Sequence, residues 1–254
     1  MLSTYSDLAG RTAVITGGSR GIGAQTARML AAQGVNVAIV GRDKNALDAV
    51  VAEIAAAGGT AVAAVADVTS AAALAEVRTL VQDRIGPVDI LGAFAGGQGM
   101  PVPSADLSEA RWRAVLDSDL TSSFLTVREF LPGMAERGRG SIITMSSSAG
   151  RQPSRANLAY GVANAGLIMM TRQLATEFGP HGVRVNAIAP SSIRTEKVAA
   201  NMSEPVQRQV AGLHPMRRLG TTTDVAEAVL FLASDASCYL TGLTIDIAGG
   251  RITN

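Results

Sequence analysis

Short apolar runs, each followed by a longer amphipathic stretch, recur along most of the chain. Nothing else in the sequence constrains its fold as strongly. Thr12–Thr16, Asn36–Val40, Thr60–Ala66, Ile90–Ala95, Ser141–Ser146 and Val183–Ala189 read as strands. Most are apolar at nearly every position rather than at every second one, which is the pattern of strands covered on both faces. Between them lie helical stretches such as GAQTARMLAAQG, NALDAVVAEIAAAG and AALAEVRTLVQDRIG, closing at Gly34, Gly58 and Gly86. A glycine there can take the left-handed conformation that ends a helix. Strand and helix in repeated alternation predict an α/β fold, a doubly wound parallel sheet with helices on both faces. No linker, repeat or low-complexity segment interrupts it, so residues 1–254 are expected to form a single domain, a size that one α/β domain of ~250 residues can reach.

The first strand runs directly into TGGSRGIG, Thr16 to Gly23, and then into a helix. Glycines at 17, 21 and 23, with Ser19, Arg20 and Ile22 between them, let the backbone turn sharply and approach a diphosphate. The helix behind them offers unpaired N–H groups to that charge. A glycine-rich string alone is weak; the strand–turn–helix context makes it a Rossmann-like nucleotide loop.

Several further stretches carry a resemblance: ADVTS with Asp67, VDILGAFAGG, GSIITMSSSAG, Tyr160, VRVNAIAPSSIRT and YLTGLTIDIAGG. With the glycine loop, they resemble the short-chain dehydrogenase/reductase family over almost the whole length. The similarity is strongest to its 3-oxoacyl-carrier-protein reductase-like branch. That resemblance implies a nicotinamide dinucleotide, with Asp67 and Val68 at the adenine and Ala95 and Gly96 beside the adenosine ribose. Pro190, the backbone at Ile193, and Thr195 would meet the nicotinamide end. A plainer reading of Asp67 is a strand-end turn residue. An acidic residue, which would hold both ribose hydroxyls of NAD, is missing at Gly41, whereas Arg42 and Arg20 could clasp a 2′-phosphate. NADP(H) is therefore expected over NAD(H). Alternatively, both arginines are ordinary solvated surface residues.

The resemblance makes Ser147 and Tyr160, thirteen residues apart, the catalytic pair. The serine would bind a substrate carbonyl while the tyrosine moves its proton. Asn164 stands where the family carries a lysine, one helical turn beyond Tyr160 and on the same face. An amide can still hold ribose hydroxyls, but it cannot lower a phenol pKa as a cation does. A carbonyl-reducing direction, in which the phenol acts as an acid, would suffer less. Other departures cluster nearby. Asp119 replaces an asparagine, AFAG at 93–96 replaces an asparagine–alanine–glycine triplet, and Ser191 replaces the glycine after Pro190. Lys197, Arg151, Arg155 and Arg194 could each reach in to replace the missing charge. Each could equally be a solvated loop residue.

The loop Pro190–Gly220 contains Val198, Met202, Val206 and Leu213, apolar residues suited to a pocket under a mobile lid, or to simple helix packing. His214, before Pro215, reads as a turn residue. Three functions stay open on this evidence. The first is an NADP(H)-dependent oxidoreductase reducing the ketone, or oxidising the secondary alcohol, of a small to medium, partly apolar metabolite. The second is a dehydratase, isomerase or lyase using Asp119 as an acid–base group. The third is a silent NADP(H)-binding member.

Composition narrows the partners. A net charge of +1 without a basic run gives no electrostatic reason to expect nucleic acid or an anionic membrane. Cys238 is the one cysteine, so no intrachain disulfide can form. With His181 and His214 it supplies too few soft ligands for zinc, and no metal is expected. MLSTYSDLAGR has no basic start followed by an apolar run, and no apolar segment reaches the ~20 residues that span a bilayer. The expected location is the cytoplasm. By resemblance only, the helices near 108–134 and 157–178 would pack subunits into a homo-oligomer, a tetramer.

Overall fold

The computed structural model describes residues 3–252; Met1 and Leu2, which belong to the N-terminal expectation, and Thr253 and Asn254, which like them belong to the 1–254 domain expectation, lie outside the described residues. Seven parallel strands form one sheet in the order β3-β2-β1-β4-β5-β6-β9. They are β1 (Thr12–Thr16), β2 (Asn36–Gly41), β3 (Thr60–Val65), β4 (Ile90–Ala93), β5 (Gly140–Met145), β6 (Val183–Pro190) and β9 (Thr244–Ile247). Six coincide with the expected strands to within two residues at each end. β9 was not expected: its TIDI run alternates in polarity and is only partly covered at the edge of the sheet, so it lacks the apolar run that marks the others.

The apolar strands β1, β2, β4, β5 and β6 are buried on both faces over most of their length, whereas β3, at the edge of the sheet, is only partly covered despite its apolar run. Val14, Ala38, Val40 and Ile142 pack into one core, while their chain neighbours Ile15, Ile39 and Ile143 pack into the other. Helices α1 (Gly21–Ala32) and α9 (Thr222–Ala233) pack on each other and supply much of the second core. α3 (Ala71–Ile85) and α5 (Ser122–Glu136) pack together over the first. α2 (Lys44–Ala56) and α6 (Leu158–Phe178) complete the layers. Gly34, Gly58 and Gly86 follow α1, α2 and α3 with positive φ, as read from sequence.

The expected 108–134 helix runs in continuous helical backbone as α4 (Glu109–Leu116), a π-helical turn at Asp117–Thr121, and α5. Residues 190–220 are more ordered than a loop. They hold a short strand pair, β7 (Ile193–Arg194) with β8 (Gly220–Thr221), and two helices, α7 (Glu196–Asn201) and α8 (Glu204–Gly212). Strand order reverses beside β1: one half of the sheet runs out through β2, the other through β4. Helices leaving in opposite directions open a crevice above the carboxyl ends of β1 and β4, where doubly wound sheets take ligands.

Candidate active site

A cleft of about 870 Å³ occupies that crevice. Its floor is the glycine loop, where Gly17, Arg20, Gly21, Ile22 and Gly23 face the cavity. Space there is tight. A Cβ on Gly23 would stand 2.3 Å from the Gly17 carbonyl oxygen, and one on Gly17, at φ +66, would stand 3.0 Å from the Phe94 carbonyl oxygen. No side chain caps the start of α1 and no acid occupies its first turn, so its N–H groups are left to a ligand. A cradle this narrow, ending on free amides, fits a dinucleotide diphosphate. The hydroxyl of Thr16 locks the two strand ends together, accepting from the amides of Phe94 at 2.9 Å and Ala95 at 3.2 Å. Ala95 and Gly96 thereby line the same wall.

Arg42, Asp67 and Val68 lie beside the cleft rather than in its lining, whereas Arg20, Ala95 and Gly96 line it. A Cβ on Gly41 would meet the Ser19 hydroxyl at 3.5 Å, so these two residues adjoin. Arg42 is exposed next to them. Arg20 is paired with Asp43, 2.6 Å away, an acid that the sequence reading overlooked. Asp67 accepts from the amide of Thr69 at 3.0 Å and from its hydroxyl at 2.7 Å. These bonds, with a smaller pull from Arg42, hold its carboxyl below the ordinary value. Asp67 thus performs the turn duty considered above, while neighbouring Val68 is buried in the core.

The inner end of the cleft brings together Ser147, Tyr160 and Asn164. Ser147 follows β5 and opens a one-turn 3-10 helix, its hydroxyl accepting from the Ala149 amide at 3.2 Å. That turn is pressed against α6: a Cβ on Gly150 would lie 2.6 Å from the backbone carbon of Asn164. The Ser146 hydroxyl adds a bond to the Asn164 carbonyl at 2.9 Å. Serine and tyrosine are therefore held at fixed separation by backbone contact. Asn164 is buried and donates its amide to the Tyr160 carbonyl at 2.8 Å. Burial pushes the Tyr160 phenol above its ordinary value; the nearby Ser147 hydroxyl pulls it down, the Asp119 carboxylate pushes it up, and the Asn164 amide pulls it down.

Asp119 has a role the sequence did not disclose. It sits on the π-helical turn, 3% exposed, and its Oδ2 accepts from the amides of Gly97 at 3.0 Å and Gln98 at 3.1 Å. Its other oxygen accepts from the Ser118 hydroxyl. Asn157, buried at the N-cap of α6, completes the clamp. It accepts from the Tyr160 amide at 2.9 Å and donates to the carbonyls of Gln98 at 2.8 Å and Met100 at 3.0 Å. The loop 96–100 is thereby drawn across the tyrosine, with Gly99 so close that a Cβ would touch its ring at 3.3 Å. Asparagine three residues before Tyr160 was a readable N-cap signal; its second bond, to a distant loop, was not.

Of the charges that might have replaced the lysine, Lys197 alone lines the cleft, its ammonium 3.4 Å from the Gly97 carbonyl. Arg151 pairs with Asp246 at 3.0 Å, both largely buried, and Arg155 and Arg194 are exposed outside the lining. Pro190, Ser191, Ile193 and Thr195 form the wall opposite, with Val198 and Met202 beyond them. Val206 and Leu213 stay exposed and do not reach the cavity. His214 is a turn residue, as read, but it is also 2% exposed and bonded at both ring nitrogens. Among the described residues no cluster of His, Cys, Asp and Glu could hold a metal ion, and no helix is long and apolar enough to cross a membrane.

Known proteins share this fold and are similar in sequence. A family profile described as enoyl-(acyl carrier protein) reductase matches residues 17–251. The chain is 36% identical over 243 residues to a 2,5-dichloro-2,5-cyclohexadiene-1,4-diol dehydrogenase of Sphingobium indicum, covering 96% of each. Its fold superimposes with a TM-score of 0.94 on a putative gluconate dehydrogenase from Agrobacterium tumefaciens, at 33% identity over 99% of this chain and 100% of that one. A 3-oxoacyl-[acyl-carrier protein] reductase from Brucella melitensis, solved with bound NAD, superimposes at 0.88 with 32% identity over 98% of this chain and 94% of that one.

Proposed function

The chain belongs to the short-chain dehydrogenase/reductase family, and from that premise we propose that it is an NADP(H)-dependent oxidoreductase reducing a ketone of a small, partly apolar metabolite. The carrying observation is the placement of Ser147, Tyr160 and Asn164 at one end of a cleft whose other end is the glycine cradle. When bound, the dinucleotide supplies a hydride to the carbonyl carbon. Everything else falls to the chain. The Ser147 hydroxyl donates to the carbonyl oxygen and fixes its direction. The Tyr160 phenol gives that oxygen a proton as negative charge builds on it. A phenol held above its ordinary value keeps its proton until that moment, which suits reduction and hinders the reverse. Asn164's NH2 serves the helix and also favours the Tyr160 phenolate; its carbonyl oxygen is left for a ribose hydroxyl.

The carboxyl-free Gly41 and the neighbouring Arg42 support the phosphorylated cofactor, for which a 2′-phosphate would compete with Asp43 for Arg20. Residues 190–220 serve as the substrate lid, with Val198 and Met202 as its apolar face. Exposed Phe124, Leu158, Val162 and Met169 on α5 and α6 support a homo-oligomer, a tetramer by family likeness, acting in the cytoplasm. A dehydratase or isomerase with Asp119 as base is disfavoured because donors already occupy both its oxygens.

Titration with NADPH and NADH, followed by NADPH consumption across a panel of cyclic and acyclic ketones, tests the assignment. Tyr160→Phe should cut turnover by at least about a hundredfold while NADPH still binds. Turnover that survives this change would overturn it.

A further inference from the structure

Two cavities share one wall. Ser191 and Ser192 line both the main cleft and a second cavity of about 320 Å³. The Ser191 hydroxyl stands 3.1 Å from Nε2 of His214, and Nδ1 of the same ring stands 2.9 Å from the Val210 carbonyl oxygen in α8. A carbonyl only accepts, so Nδ1 carries the hydrogen; Nε2 of the neutral ring then accepts from Ser191. Both nitrogens of a buried ring are used, which fixes the ring's orientation and the rotamer of Ser191 with it. The surrounding backbone is tied in the same direction. Ser191 donates its amide to the Ile247 carbonyl in β9 at 3.1 Å, and Met216 donates to Gly249 at 3.1 Å. Arg217, whose amide bonds the His214 carbonyl at 2.8 Å, is the one non-glycine with positive φ among the described residues. The turn after α8 is therefore held firmly, and the Ser191 hydroxyl joins it to the end of β6. The family's glycine at this position would have no group to make that link.

We propose that Ser191 and His214 are a positioning pair that holds the Pro190–Thr195 segment against α8 so that it receives the nicotinamide half of the dinucleotide. The inference rests on the cofactor reading above and adds a division of labour to it. The glycine loop binds the diphosphate and adenosine without this pair, whereas the nicotinamide end depends on it.

Calorimetric titration with NADPH and with 2′-phospho-ADP-ribose, which lacks the nicotinamide, separates the two halves. Ser191→Ala should raise the Kd for NADPH about tenfold, the worth of one hydrogen bond to a buried partner, with 2′-phospho-ADP-ribose affinity unchanged. His214→Gln, approached from the other side, should do the same and serves if the alanine variant does not fold. Ser191→Thr, which keeps the hydroxyl, should restore NADPH binding. Equal weakening of both ligands would mean that the pair only supports the fold, and unchanged NADPH affinity would mean that it positions nothing; either result overturns the proposal while the cofactor reading stands. Wild-type protein that binds neither ligand would remove the cofactor reading and this inference together.

Discussion

Asn164→Lys restores the charge that family members place behind the tyrosine, and its effect can be worked out beforehand. Tyr160 now has only neutral groups to favour its anion, Ser147 and Asn164, against burial and the Asp119 carboxylate. An ammonium about 5 Å from the phenol, at an effective dielectric of about 20, contributes about 3 kcal/mol. That is about 2 pKa units in favour of phenolate, less whatever it costs to desolvate the new charge. In wild-type protein, the rate of alcohol oxidation by NADP⁺ should climb with pH and reach no plateau before the ordinary phenol value of 10.0 is passed. In the variant the plateau should arrive about two pH units earlier, with oxidation at neutral pH up by roughly a hundredfold. Ketone reduction should hardly change, because the phenol is protonated in both proteins. Initial rates in both directions across pH decide the matter. Superimposable profiles, or reduction moving as far as oxidation, would refute the claim that a missing cation limits this site.

Asp119→Asn removes the carboxylate that pushes the Tyr160 phenol up, so the oxidation profile should shift to lower pH. Its amide oxygen can still accept from Gly97 and Gln98 while its NH2 donates to the Ser118 hydroxyl, so the loop should stay in place and stability fall by only about 1 kcal/mol as charge-assisted bonds become neutral ones. Asp246→Asn strips a largely buried guanidinium, Arg151, of its charged partner and should cost about 3 kcal/mol in denaturant titration. Asp224, held well below the ordinary carboxylate range by Arg218, binds its proton less tightly folded than unfolded. Its stabilising contribution is therefore full above the unfolded value of 3.8 and shrinks as pH falls below it. The Tm difference between wild type and Asp224→Asn should follow that course. Arg42→Ala should narrow the preference for NADPH over NADH by about tenfold in Kd; an unchanged ratio would assign the arginine to solvent.

How much of this was legible beforehand depended on range along the chain. Strands β1, β2, β4, β5 and β6 announced themselves because burial on both faces forces apolar runs, and β3 shared that composition although it is a partly covered edge strand. β9, an edge strand partly covered, carried no such mark. The glycine cradle was readable because its constraint is local: a carbonyl six residues away excludes a side chain at Gly23. Tyr160 and Asn164 could be placed on one face by helical spacing, but the duties of Asp119 and Asn157 could not be seen. Each bonds the loop 96–100 across about twenty to sixty residues of sequence, and no spacing rule reaches so far. The π-helical turn that aims Asp119 left no periodic trace either, since a single widened turn barely disturbs the pattern around it. His214 looked like punctuation beside a proline because its two partners come from separate elements.

The clamp formed by Asp119 bears on how such a sequence can change over generations. A return to the family's asparagine there keeps an oxygen for the two loop amides but removes the anion, so a lineage taking that step first would bring a lysine to position 164 with no nearby carboxylate to offset it. Restoring lysine at 164 leaves those contacts untouched and lets the anion nearby offset the incoming charge. The two ancestral-looking residues are therefore recoverable in one order more easily than in the other.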